Sequence, residues 1–176
     1  EIGLGIPAEP LFRSGRQLNE FAEMIEDDAF KALLEYLNFD EAKDKYESGD
    51  YQFYTSDVYS WTDYAEQYVD EIGGVEELGK DTIESYFDYE ALGRDLGFDS
   101  YETEDDEGET QWVSAGEYWC GDEGASDYDI GEAFVDQVGF DGVSNPEYYF
   151  DFEKFGRDIS YESSGGPTDF GFIVFY

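Results

Sequence analysis

The side chains of this sequence that could do chemistry are nearly all carboxylates. Forty-six Asp and Glu stand against nine Lys and Arg, one cysteine (Cys120) and no histidine. A carboxylate pair can run glycoside hydrolysis, but with this many acids every pair is available and spacing singles out none. Without His, Cys120 has no partner for nucleophile–base catalysis. Ordinary zinc and haem sites are excluded for the same reason, and one Cys cannot form an intramolecular disulfide. No Gly-rich phosphate loop is present. Asp127-x-Asp129-x-Gly131 begins like a calcium loop, but the Gly that should follow is absent and Val138 stands where the closing Glu belongs. What remains is the chemistry of charge itself. The chain reads as non-catalytic, with no cofactor and no specific metal.

The formal net charge is -37 over 176 residues. Binding to nucleic acid or to an anionic membrane through Lys and Arg is thereby excluded. Disorder, the usual fate of very acidic chains, does not fit 16 Tyr, 15 Phe and 3 Trp, which supply a core. Holding so much like charge on a folded body costs self-repulsion, so its retention points to a use outside stability. The excess equals the charge on roughly 60 Å of duplex DNA, about 18 base pairs. Acids are interleaved with apolar residues throughout, the longest unbroken acidic run being Glu104 to Glu107. No segment reads as a signal peptide or a membrane span, which fits a cytoplasmic protein. The first residue is Glu1 rather than Met, consistent with a missing N-terminal piece.

The elements that must position these acids are written twice. Tyr86-Phe87-Asp88-Tyr89-Glu90-Ala91-Leu92-Gly93-Arg94-Asp95-Leu96 returns as Tyr149-Phe150-Asp151-Phe152-Glu153-Lys154-Phe155-Gly156-Arg157-Asp158-Ile159. Each copy reads as a short helix with an Asp N-cap, Asp88 or Asp151, and a hydrophobic staple, Phe87 with Leu92 or Phe150 with Phe155. Glu90 with Arg94 and Glu153 with Arg157 have the favourable i,i+4 order, tying acids within each unit. Gly97 is placed to end the first copy. Upstream of each copy lies a longer amphipathic helix. Tyr64, Ala65, Tyr68, Val69 and Ile72 form one apolar stripe; Ile130, Phe134, Val135 and Val138 form the other. Asp63, Glu66 and Asp70, extended by Glu71, lie opposite the first stripe, and Asp129, Glu132 and Asp136 opposite the second. Gly73 and Gly139 stop the two helices. At 1.5 Å rise per residue, such acids recur about every 5 Å along the axis, on the scale of charges along a nucleic-acid strand.

Downstream, the period changes to two. Tyr101 to Glu104 and Thr110 to Val113 read as a hairpin around Asp105 to Gly108; Ile159 to Glu162 and Phe170 to Phe175 read as another around Ser163 to Pro167. Strands are also expected at Tyr51 to Tyr54 and within Gln111 to Cys120. Gln17 to Glu26, Ala29 to Leu37 and a segment from Asp40 read as helices. The expected fold is α+β: an elongated tandem with a helical module at 1–50 and two repeated helix–helix–hairpin units at 51–113 and 114–176.

Phe30-Lys31-Ala32-Leu33-Leu34-Glu35-Tyr36-Leu37, Asp40-Glu41-Ala42, Tyr51-Gln52, Asp63-Tyr64-Ala65-Glu66 and above all Tyr86-Phe87-Asp88-Tyr89-Glu90-Ala91 with Arg94-Asp95-Leu96 resemble the ArdA family of antirestriction proteins, over about Gln17 to Val113. The resemblance implies a small acidic protein of phages and mobile elements, built of successive small domains and often dimeric. Such a protein copies B-form DNA and occupies the DNA groove of a type I restriction-modification enzyme. The family's N-terminal β-rich domain is missing or reduced to residues 1–16, and residues 114–176 look like an additional copy of its C-terminal unit. The resemblance implies a type I restriction-modification enzyme as partner; a CRISPR effector or another DNA-binding protein is the alternative target, and a homodimer is a further expectation. The acids expected to stand in for phosphates are Asp63, Glu66, Asp70, Glu71, Asp129, Glu132 and Asp136, then Asp88, Asp95, Asp151 and Asp158, and the turn Glu104, Asp105, Asp106 and Glu107. A carboxylate enzyme and a salt-adapted structural protein are the readings from other classes.

Overall fold

A computed structural model describes residues 22–98, 101–104, 107–108, 110–113, 119–122 and 125–176. It divides into two compact units, residues 1–60 with 160–176, and residues 61–159. Helices combine with two three-stranded antiparallel sheets, an α+β fold. Among the described residues no helix is long and apolar enough to cross a membrane.

The first unit is built on an unbroken apolar strand. Phe172-Ile173-Val174-Phe175 is buried at every position, as a strand covered on both faces must be. It is the centre of the sheet, with β1 (Tyr51–Tyr54) on one side and Ser164–Pro167 on the other. Tyr51 pairs with Phe175 and Tyr54 with Phe172. The strand Ser164–Pro167 is narrow by necessity. A Cβ on Gly165 would come within 2.1 Å of the Ile173 carbonyl oxygen, and its φ is +110°, a conformation open to glycine. Helices α1 (Asp28–Tyr36) and α2 (Phe39–Ser48) bring Phe30, Ala32, Leu33 and Ala42 to the same core as Ile173 and Phe175. Asp27 caps α1 by accepting from Ala29 N–H at 2.8 Å. Asn38 and Glu41 form a capping box on α2, which ends at Gly49 in the left-handed region.

The second unit holds both copies of the eleven-residue motif, while the hairpin expected after the second copy belongs to the first unit. It runs through α3 (Trp61–Ile72), α4 (Lys80–Tyr86), α5 (Tyr89–Phe98), the sheet β2 (Tyr101–Glu104), β3 (Thr110–Val113) and β4 (Trp119–Asp122), then α6 (Asp127–Val138) and most of α7 (Phe152–Glu162). Its core joins Ala65, Val69, Leu92, Val135, Phe150 and Phe155. Phe87 and Phe150 form an antiparallel bridge, flanked by hydrogen bonds from Asp88 N–H to Tyr149 O at 2.7 Å and from Asp151 N–H to Tyr86 O at 2.8 Å. The two copies are therefore joined backbone to backbone. Helices α5 and α6 pack closely because both are glycine at the crossing: a Cβ on Gly93 would lie 1.6 Å from Asp127 O, and one on Gly131 2.1 Å from Tyr89 O.

Several expected boundaries shift. Helix α5 continues through Gly97 to Phe98, because Gly97 is not among the glycines with positive φ and so forms no left-handed cap. Ile159 to Glu162 is the end of α7, not a strand; the amphipathic helix runs on, and the hairpin uses Ser164–Pro167 and Phe172–Phe175 instead. Residues 127–131, the calcium-loop candidate, are the first turns of α6, so these carboxylates follow helical spacing and cannot encircle an ion. The first hairpin pairs as expected, Tyr101 with Val113 and Glu104 with Thr110. Residues 17–21, with Asp105 and Asp106, lie outside the described residues.

Candidate partner-binding acids

Helices α3 and α6 divide as their periodicity requires. Tyr64, Ala65 and Val69 are buried on α3, and Ile130, Gly131 and Val135 on α6. Tyr68, assigned to the apolar stripe, is 36% exposed at its margin. Glu66, Asp70, Glu71, Asp129, Glu132 and Asp136 are exposed, and Asp63 is half-buried. Gly73 follows α3 with φ +109° and Gly139 caps α6 with φ +74°, so both glycine stops are observed.

The acids differ in what else they do. Asp129 closes a capping box at the start of α6, accepting from Ser126 N–H at 3.0 Å and from the Ser126 hydroxyl at 2.6 Å. These hydrogen bonds hold its carboxyl below the usual carboxylate range. Ser60 and Asp63 stand in the same Ser-x-x-Asp relation at the head of α3, a pattern legible in both copies. Glu71 accepts from Gln67 at 2.9 Å, and Glu132 from the Tyr128 hydroxyl at 3.2 Å. Glu66, Asp70 and Asp136 are exposed, and among the described residues their carboxylates engage no hydrogen bond or ion pair.

The capped-helix acids are committed to the fold. Asp88 and Asp151 cap α5 and α7 by accepting from Ala91 N–H and Lys154 N–H, each at 2.9 Å. Asp95 accepts from the Tyr149 hydroxyl and Asp158 from the Tyr86 hydroxyl, both at 3.0 Å. Arg94 lies 3.6 Å from Glu90 in its own copy, but also 3.9 Å from Asp127 in α6, so it bridges the copies. Arg157 lies 4.0 Å from its neighbour Asp158. Glu107 is exposed in its turn. For Glu104 the backbone pairing with Thr110 is the described feature.

Sequence spacing missed Glu84 of α4, since periodicity within one helix does not reveal what another brings beside it. Burial, with the negative charge of Glu84, Glu132 and Asp136 nearby, pushes Tyr89 up to about 12. Tyr128, whose ring sits 5.4 Å from that of Tyr89, is raised by partial burial and by Glu132, Asp129 and Glu84. Acids from α4 and α6 thus act on the same pair of phenols. Lys80 lies 3.3 Å from Glu84.

A groove of about 440 Å³ lies at the bridge between copies, lined by residues 85–88 and 148–151 with Lys154. Its two carboxylates, Asp88 and Asp151, are the helix caps, and Lys154 Nζ donates to Ser85 O at 2.8 Å. Among the described residues no three acids converge closely enough to hold a metal ion. The candidate carboxylates lie along α3 and α6 and at the starts of α5 and α7.

A family model described as antirestriction protein (ArdA) matches residues 8–110, more than half of the chain. The chain belongs to the ArdA antirestriction family. No characterised protein and no solved structure matches it. The ArdA match includes α3 to α5 with the motif Tyr86–Leu96, and ends before α6 and the second motif. ArdA proteins are antirestriction proteins, DNA mimics that inhibit type I restriction-modification enzymes, and not enzymes themselves.

Proposed function

We propose that this protein is a DNA mimic that occupies the DNA-binding groove of a type I restriction-modification enzyme inside a bacterial cell. The observation that carries the reading is the ArdA match over residues 8–110, joined to a net charge of -37. In this reading the repeated segments 51–113 and 114–176, following the helical module 1–50, each contribute one acidic helix. Glu66, Asp70, Glu132 and Asp136 do most of the work, with Asp63, Glu71 and Asp129 beside them. Asp88, Asp95, Asp151 and Asp158 contribute charge while holding the unit together, and Glu104 to Glu107 extend the acidic surface. A groove lined by Lys and Arg attracts such a surface as it attracts phosphates, and the attraction weakens as salt shortens the Debye length.

The test is restriction in living cells. Expression in a host with an active type I system should restore plating of unmodified phage to near the level of a non-restricting host. Unchanged restriction, with the protein present and folded, refutes the proposal for that system.

A further inference from the structure

The two copies of the eleven-residue motif touch each other through equivalent atoms. The backbone bonds beside the Phe87–Phe150 bridge run from Asp88 to Tyr149 and from Asp151 to Tyr86, each joining the third residue of one copy to the first of the other. The phenol bonds, Tyr86 to Asp158 and Tyr149 to Asp95, join the first residue of one copy to the tenth of the other, both at 3.0 Å. Ring centroids repeat the pattern, Tyr86 to Phe150 at 5.7 Å and Phe87 to Tyr149 at 5.8 Å. The glycines repeat it again. A Cβ on Gly93 would strike the carbonyl of Asp127, the first residue of α6, and one on Gly156 would strike that of Trp61, the first residue of α3.

Each capped helix therefore meets the first residue of the other copy's long helix at its glycine, and the backbone bonds, the phenol bonds and these glycine contacts each have a reciprocal. Contacts in which residue i meets j while their counterparts meet in the reverse sense define an isologous, two-fold interface, the kind formed between identical subunits. Packing of unrelated segments has no reason to match hydrogen-bond pairs and helix-start glycine contacts at once.

We infer that this motif is a self-pairing surface whose partner is a second copy of itself, and that the chain carries that partner in cis. The surface that one copy would offer for association is filled by the other, so the motif drives no association between chains. The inference rests on the contacts between copies and stands apart from the proposed function.

The test makes the copies identical within the full chain. F152Y/K154A/F155L/I159L writes the first motif twice, and Y89F/A91K/L92F/L96I writes the second twice. If the surface is self-pairing, at least one of these chains melts in a single cooperative transition and sediments as a 20.1 kDa monomer. Loss of the cooperative melt in both chains, or association of the folded one, overturns the inference.

Discussion

Two glycines in one helix should respond to the same substitution with opposite signs. In α5, a Cβ on Gly93 would lie 1.6 Å from Asp127 O and 2.9 Å from Gly131 N, both backbone atoms of α6, whereas a Cβ on Gly97 meets nothing within 4 Å. An ordinary contact begins near 3.4 Å, so Gly93→Ala must part the helices by roughly 1.8 Å at the crossing, in a core where side-chain rotation cannot relieve the overlap. Overpacking costs ~1–3 kcal/mol, and a backbone obstacle places this case at the top of that range, about 3 kcal/mol. At ~4–8 °C per kcal/mol for a domain the size of the 61–159 unit, Tm should fall by about 12–24 °C. Gly97→Ala removes only unfolded-state freedom in a helical position and should stabilise by ~0.5–1 kcal/mol. Thermal unfolding followed by the near-ultraviolet signal of the aromatic core measures both. A Gly93→Ala protein as stable as the parent would refute the close α5–α6 crossing, and with it the account of how the copies interlock.

The acids and phenols give further expectations. Replacing Glu66, Asp70, Glu132 and Asp136 by their amides should weaken binding to the target by ~10-fold or more, while leaving thermal stability unchanged or raised as like charges are removed; unaltered affinity would put the binding surface elsewhere. Tyr89, whose ordinary value of 10.0 is raised to about 12 in the fold, should resist ionisation in an ultraviolet alkaline titration. Its contribution to stability is complete below pH 10 and is lost as the pH rises toward 12, so Tyr89→Phe should flatten the alkaline limb of stability against pH. Asp129 has the opposite sign. Its carboxyl is held below 3.8 by Ser126, so the stability advantage of the parent over Ser126→Ala is present above that pH and narrows as the pH falls through the lowered value; a constant gap across the acid range, by denaturant unfolding, would contradict the capping-box assignment.

Much of the local structure was legible because it follows from short-range rules. The stripe Tyr64, Ala65, Val69 and its counterpart Ile130, Val135 bury as their period requires, and Asp88 and Asp151 cap the helices they precede. The hairpin 101–113 follows from alternation around a turn. What was not legible depends on residues far apart in the chain. Nothing local in Tyr51-Gln52-Phe53-Tyr54 announces Phe172–Phe175 as its partner, yet that pairing completes the first unit. Gly93 and Gly156 stand within the eleven-residue motif, and their use, admitting the first residue of a distant helix, appears only when the copies face each other. The candidate acids sort in the same way. Exposure of Glu66 and Asp136 follows from helical period, but the bonds that occupy Asp95 and Asp158 are made by tyrosines of the other copy, and Glu84 joins Glu132 and Asp136 only through the fold.

The central claim is that this carboxylate surface takes the place of DNA. The direct measurement is a competition titration in which a type I restriction-modification enzyme, bound to labelled duplex DNA at low salt, meets increasing amounts of the protein. The account predicts that DNA is displaced at near-stoichiometric protein, and that more protein is needed as salt rises. DNA that stays bound in the presence of excess folded protein at low salt would contradict it.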